Sequence, residues 1–331
     1  MQSPYFPASY STLQPDALGA LIQDRYVISN ADVQFFLRGV GDTYLVTSTN
    51  NRYVLRVYRT DQRNRTQVDA EVVLLLAAQT AGVSVSAPIA DKEGNFIQEI
   101  PAIEGVRSMV LFSYAECEPV ALMSERQLKE VGREMAALHD ICEKIELPHV
   151  RWNFDNKTCF EEPLERIRNS FKADPEGWEW LERYSTRAKE ILDSIDSSKF
   201  SKGYCHYDFL PKNFHFTPDG RVTFFDFDFF GYGWLINDVM TLWQHFCMLV
   251  DAGRMTQEDA DRNFNVFVEA YREYRPLSDG ELSVMPWLGL GWWIFYLGFY
   301  PTHDQFFPII QPSHLKARMT MIRRLAERYV D

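Results

Sequence analysis

The chain has 331 residues, with 46 acidic and 34 basic side chains, a formal net charge of -12 and a sequence pI near 5.1. This length is expected to form about two domains. The acidity excludes a general nucleic-acid binder, because neutralising phosphates requires a basic stripe that the sequence lacks. Hydrophobic residues make up 46% of the chain, enough for a real core, and 24 Phe, 16 Tyr and 8 Trp bring aromatics to 15%. That excess reads either as a bulky core or as a ring-lined pocket. Cys117, Cys142, Cys159, Cys205 and Cys247 are odd in number and contain no C-x-x-C pair, so they read as reduced thiols of a cytoplasmic protein. No Lys or Arg precedes Arg25, and Pro4, Pro7 and Pro15 interrupt the start, so a secretory signal is not expected.

In chain order, 16–26 reads as a short helix with Ala17, Leu18, Leu21 and Ile22 on one side. Strand patterns follow at 33–38, 44–49 and 52–58, with Asn50-Asn51 as a hairpin turn signal between the last two. Val68, Val72, Leu75 and Leu76 give 67–81 a helical stripe, which Gly82 stops. Strand-like segments return at 88–100 and 108–114. The first lobe, 1–115, is therefore a small antiparallel sheet with one main helix.

From Ser124 the period changes to 3.6. Ser124-Glu125-Arg126-Gln127 is a capping box, in which hydroxyl and Gln each satisfy an amide left over at a helix start. Helical patterns follow at 160–171, 176–194, 237–250, 257–275 and 314–329. The second lobe, 116–331, is mainly α-helical, so the fold class is α+β and bilobal. Within it, 282–303 runs 22 residues without Lys, Arg, Asp or Glu, long enough to span a bilayer. Pro286 and Pro301 shorten the usable helix to about 14 residues, which predicts a buried helix and no membrane partner.

The segment from His206 to Asp228 carries the chemistry. Pro218-Asp219-Gly220 is a turn in which Pro presets φ and Gly supplies a positive one. Apolar runs on both sides make it a hairpin, and folding it brings Asn213 and Asp226 near one end. An amide oxygen and a carboxylate suit Mg²⁺, which takes few protein ligands and fills its other positions with water and phosphate. Asp208, five residues before Asn213, is a separate carboxylate free to face an incoming hydroxyl. Phosphoryl transfer needs these parts. Taken singly, each polar residue reads equally well as an Asx turn.

His206-x-Asp208-x-x-x-x-Asn213 followed by Asp226-Phe227-Asp228 resembles the catalytic loop and metal motif of the aminoglycoside phosphotransferase and choline kinase-like family, which has the protein-kinase-like fold. The resemblance implies Asp208 as catalytic base within a loop that includes His206, and Asn213 and Asp226, with Asp228 beside them, as magnesium ligands. It also implies Asp238 as a buried carboxylate bracing that loop. Asp238 otherwise reads as a helix cap. Gly39-Val40-Gly41-Asp42 resembles the family's nucleotide-covering loop. Arg56 stands where kinases usually place a phosphate-binding Lys, and Glu71 is its candidate partner. In Val110–Ala115, which resembles the family's hinge, the carbonyl of Ser113 and the amide of Ala115 are expected to receive the adenine edge.

The expected function is ATP- and Mg²⁺-dependent transfer of the γ-phosphoryl group to a hydroxyl of a small molecule, by a monomer or homodimer. Two alternatives are a serine/threonine protein kinase and a nucleotide-binding scaffold without turnover. Against the first, only 12 positions separate Asp226 from Asp238, leaving little room for an activation segment. Arg56 motivates the second. The sequence around Asp208 and Asp226 also resembles homoserine-kinase-like members, which keeps amino alcohols beside sugars and aminoglycosides. A cationic acceptor requires carboxylates or an aromatic cage, for which Trp287, Trp292, Trp293, Tyr296 and Tyr300 are the candidates.

Overall fold

The computed structural model describes residues 6, 8–117, 119–147 and 151–330. Contacts divide the chain into two compact units, Met1–Glu116 with Thr223–Phe225, and Cys117–Val222 with Asp226–Asp331.

In the first unit α1 (Pro15–Arg25) precedes β1 (Asp32–Arg38), β2 (Asp42–Thr47) and β3 (Arg52–Val57); α2 (Arg65–Thr80) leads to β4 (Ile97–Ala102) and β5 (Gly105–Ser113). The antiparallel sheet has the order β1-β2-β3-β5-β4. Alternation buries Tyr44, Val46, Leu55, Val57, Met109 and Leu111 on one face, where Leu18 and Ile22 of α1, with Tyr26 just after it, cover them. The β2–β3 hairpin closes through Ser48, whose amide donates to the Asn51 carbonyl at 2.9 Å, and neither Asn50 nor Asn51 takes a positive φ. The loop therefore has four residues, 48–51, rather than a two-residue turn.

The strand expected over 88–100 forms only at its end. Asp91 accepts the amides of Glu93 and Asn95 at 2.9 and 2.8 Å, and Gly94 has φ +88°, so local turn bonds displace a ladder there. Thr223–Phe225 group with this unit because Phe224 exchanges backbone bonds with Ser84 and Ser86.

The second unit opens with α3 (Glu125–Lys144), whose Ser124–Gln127 capping box forms as its sequence requires. β6 (Trp152–Asn153), α4 (Glu162–Ile167), α5 (Pro175–Ser194), β7 (Lys202–Cys205), β8 (Phe214–Phe216), β9 (Val222–Phe224, of which Thr223 and Phe224 group with the first unit) and β10 (Gly231–Trp234) follow. They lead into α6 (Ile236–Asp251), α7 (Gln257–Arg272), α8 (Asp279–Ser283), α9 (Met285–Phe299) and α10 (Pro312–Tyr329). A small sheet of order β6-β10-β7 supports the catalytic segment. Gly220, at φ +89°, closes the predicted turn, with Thr217 and Arg221 bonded across it at 2.8 Å.

The charge-free stretch becomes α9, 15 residues long and buried almost all round. At 1.5 Å per residue it reaches about 22 Å, and among the described residues no helix is long and apolar enough to cross a membrane. The five cysteines are free.

Candidate active site

The site is built from the first turn of α6 backwards. Asp238 is fully buried. Its Oδ2 accepts the His206 amide at 2.8 Å and His139 Nε2 at 3.1 Å, and its Oδ1 accepts the Tyr207 amide at 2.7 Å. Three donors therefore satisfy one buried carboxylate, as burial of a charge requires. Leu235, not Asp238, occupies the N-cap position of α6, so the helix-cap alternative does not hold. Behind it, His139 Nδ1 lies 2.7 Å from the Tyr271 hydroxyl. Burial pushes the Tyr271 phenol well up, so it keeps its proton and donates. That leaves the Nε2–H tautomer of His139 to face Asp238.

The bonds to Asp238 turn the chain sharply: Tyr207 takes φ +65°, rare for a residue with a side chain. Its ring stacks on Phe154 at 3.5 Å, and its carbonyl accepts Trp292 Nε1 of α9 at 3.0 Å. Asp208 follows, 3% exposed. Its Oδ2 accepts Asn213 Nδ2 at 2.8 Å and lies 2.8 Å from Lys212 Nζ. Asn213 Nδ2 also donates to the Asp208 carbonyl at 2.8 Å. Both bonds commit the amide nitrogen of Asn213, which leaves its oxygen as the atom to meet a cation.

His206 is buried, with its ring against Phe227 and Phe209 at 4.4 and 5.3 Å, and its Nδ1 accepts the Asp208 amide at 3.3 Å. Its bonds shape the loop.

Across the turn, Asp226 has φ +64° and opens a tight 3-10 turn over Phe227–Phe229. Arg151 fixes that turn, donating to the carbonyls of Phe227 and Asp228 at 2.8 and 3.2 Å while covering the Phe230 ring at 4.2 Å. Asp228 is 4% exposed. Asp226 contributes to the field at Lys212. Desolvation works to lower the Lys212 ammonium, but Asp208, and then Asp226, hold it above its ordinary value. Asp208, Lys212, Asn213 and Asp226 are therefore one electrostatic group. Among the described residues, no three His, Cys, Asp or Glu side chains gather to hold a metal alone. The donor set of Asn213, Asp226 and Asp228 is hard oxygen, which fits a small divalent cation that completes its shell with water and phosphate.

In the first unit, residues 39–41 join β1 to β2, with the Gly39 amide on the Gly41 carbonyl at 2.9 Å. A Cβ on Gly41 would meet the Val57 carbonyl at 3.0 Å, so a side chain there would push the loop off β3 by a few tenths of an ångström and the close packing favours glycine. Asp42 is fully buried. Its carboxylate accepts the Tyr10 hydroxyl, pairs with Arg38 at 3.5 Å and pairs with Arg107 at 3.1 Å. It thus organises the loop's base within the unit. Arg56 lies on β3 opposite Thr43 and Val110, and Glu71 is buried on α2. The Ser113 carbonyl accepts the Ser86 hydroxyl, its hydroxyl accepts the Ala87 amide at 2.9 Å, and Ala115 is buried.

The motif did not point to Lys212, His139 or Arg151, and Trp292, a candidate cage ring, meets the loop through its indole N–H on the Tyr207 carbonyl instead. Lys212 carried a signal, a cation four residues after Asp208; the partners of His139, Asp238 and Tyr271, lie 99 and 132 residues further along the chain. Trp293, Trp292, Tyr296 and Tyr300 pack on one another in a row, at 4.6, 4.9 and 6.2 Å between ring centres, as core rings rather than as an open cage. Trp287, Trp292, Trp293 and Tyr296 are buried, and Trp293 Nε1 donates to Gln244 at 3.2 Å.

A profile of the phosphotransferase enzyme family matches residues 32–277. An uncharacterized protein of Deinococcus radiodurans is 30% identical over 285 residues, covering 85% of this chain and 80% of its own. The amicoumacin kinase of Bacillus subtilis is 24% identical over 272 residues, 79% of this chain and 77% of its own. Among solved structures, amicoumacin kinase hAmiN in complex with AMP-PNP, Ca²⁺ and Ami aligns with a TM-score of 0.77 at 17% identity, over 96% of this chain and 94% of its own. The chain belongs to the phosphotransferase enzyme family and has its kinase-like fold. It is an enzyme, an ATP-dependent phosphotransferase of the kind that phosphorylates a hydroxyl acceptor.

Proposed function

We propose that the enzyme transfers the γ-phosphoryl group of ATP to a hydroxyl of a small molecule, with Asp208 as the base. The observation that carries this reading is the Asp208–Asn213 pair: a buried carboxylate held at a fixed angle by an amide whose oxygen is left for a cation. The acceptor oxygen forms the new bond to Pγ as the Pγ–O bond to the β-phosphate breaks. The hydroxyl proton passes to Asp208, and ADP leaves. Asp238 is a positioning residue, since it holds two successive loop amides and touches no reacting atom. His206 is another, through the Asp208 amide.

Asn213 and Asp226 would hold Mg²⁺, with Asp228 beside them. When bound, the ion neutralises phosphate charge. The first unit is read as the nucleotide side. There the loop of Gly39 and Gly41, with Asp42 bracing its base, covers the phosphates, while Arg56 with Glu71 receives them and the backbone of Ser113 and Ala115 meets the adenine. The second unit is read as the catalytic and acceptor side.

Release of ADP from Mg-ATP should be measured with amino alcohols, sugars, aminoglycosides, hydroxy acids and protein substrates. Acceptor-dependent ADP from a small hydroxyl compound supports the reading. ADP only with protein substrates would establish a protein kinase instead. Nucleotide-induced stabilisation with no ADP from any acceptor would establish a scaffold without turnover.

A further inference from the structure

The chemical class of the acceptor follows from the charges around Asp208, an inference that rests on Asp208 being the base. An acceptor must bring its hydroxyl to that carboxylate, so the rest of it lies against the neighbouring groups of the second unit. Lys212 stands 2.8 Å from Asp208 with its side chain exposed. The ring of Tyr296 packs on that of Tyr300 at 6.2 Å, and Arg318 of α10 lies over Tyr300 at 5.4 Å and over Trp293 at 5.9 Å. The charges of Arg318, Lys212 and Asp208 all bear on the Tyr300 hydroxyl, whose pKa is raised chiefly by burial. Among the described residues, Arg318 meets the Tyr300 and Trp293 rings and no carboxylate pairs with it.

The two helices that carry these rings and Arg318 offer little to an ammonium. α9 contains no Asp or Glu. α10 carries Lys316, Arg318, Arg323, Arg324 and Arg328 against Glu327 alone, in a chain whose net charge is -12. Glu327 lies more than two helical turns beyond Arg318. Asp304, on the segment between the two helices, is exposed. The open aromatic faces are also taken: Arg318 covers Tyr300 and Trp293, and Arg187 covers Trp287 at 5.0 Å. A quaternary ammonium would have to displace the chain's own guanidinium groups.

We infer that the acceptor carries an anionic group, a carboxylate or a phosphate ester, a few atoms from its reacting hydroxyl, and that Arg318 and Lys212 receive it. The planar guanidinium suits a bidentate anion, and the lysine ammonium supplies a mobile point charge. A cationic acceptor would meet both with like charge.

The test is ADP release with four primary alcohols of matched chain length, namely an amino alcohol, a diol, a hydroxy acid and a hydroxyalkyl phosphate, on wild type, Arg318→Gln, Arg318→Lys and Asp304→Asn. The expected result is a kcat/KM at least tenfold higher for the hydroxy acid or the phosphate. Arg318→Gln should raise the KM for that acceptor at least tenfold with the KM for ATP unchanged, and Arg318→Lys should restore part of the loss. The two anionic compounds distinguish carboxylate from phosphate. A higher kcat/KM for the amino alcohol or the diol, an unchanged acceptor KM in Arg318→Gln, or an amino alcohol whose turnover depends on Asp304 overturns the inference. If none of the four yields ADP while other hydroxyl compounds do, the inference alone falls. If no acceptor yields ADP, the assignment of Asp208 falls with it.

Discussion

Lys212 Nζ lies 2.8 Å from Asp208 Oδ2, a spacing of four residues closed by the 3-10 turn Pro211–Asn213. The carboxylate is buried and the ammonium exposed, so the pair can open without exposing Asp208. While closed, it holds the Asp208 carboxylate in place beside Asn213. Lys212→Met is expected to lower kcat/KM about tenfold, well short of the loss on removing a general base. Steady-state kinetics check this, and a loss as large as that of Asp208→Asn would show that Lys212 is as necessary to the chemistry as Asp208.

Asp238 ties the loop to α6 and α3 through two amides and His139. Removing a buried carboxylate leaves its donors without a partner, so Asp238→Ala is expected to cost about 3 kcal/mol of stability and to lower kcat at least a hundredfold. Denaturant unfolding measures the first effect and kinetics the second. A double-mutant cycle with His139→Phe should give a coupling of about 1 kcal/mol or more; independence of the two substitutions would contradict a shared network.

Much of this was legible in the sequence, and the illegible part has a physical pattern. Helix starts carried by local chemistry, such as Ser124–Gln127, formed where expected, because the cap and its partner lie within one turn. The turn at Gly220 did too. The strand expected at 88–100 failed because Asp91 offers its amides a nearer partner than a ladder. The site's motif residues stood in plain view on one segment. Their supports, His139, Arg151 and Trp292, come from distant segments, and nothing local distinguishes them from core or surface residues of the same type.

Arg107 belongs to that hidden class. It is fully buried on β5, donates to the carbonyls of Ser11, Val57 and Tyr58, and pairs with Asp42 at 3.1 Å. Arg107→Met leaves the Asp42 carboxylate with only Arg38 as a cation, and should destabilise the protein by about 3–5 kcal/mol. Asp42→Leu in the same background should recover most of that. Urea unfolding decides; a loss below about 1 kcal/mol would show that Arg107 is not the partner holding Asp42.

α10 is fastened to α6 by Arg324, whose Nε and Nη2 meet both oxygens of Asp251 at 2.8 Å. Hydrogen bonds from Arg324 hold the Asp251 carboxyl below its usual range, with burial opposing them. A depressed folded pKa gives stability that is fully present above the unfolded value of about 3.9 and lost as pH falls through the folded one. Asp251→Asn should therefore be less stable than wild type by about 1 kcal/mol at neutral pH, and the gap should close in acid. Urea midpoints from pH 7 to pH 3 follow it; a gap that widens on acidification would reverse the sign.

In the proposed mechanism Asp208 takes the acceptor's proton on a loop that stays folded without it. The most direct measurement is kcat for ADP release in purified Asp208→Asn, using an acceptor found for the wild type, alongside nucleotide binding by thermal shift with Mg-ATP. A loss of about a thousandfold or more in kcat is expected, with binding of Mg-ATP retained. A kcat within tenfold of wild type would contradict it.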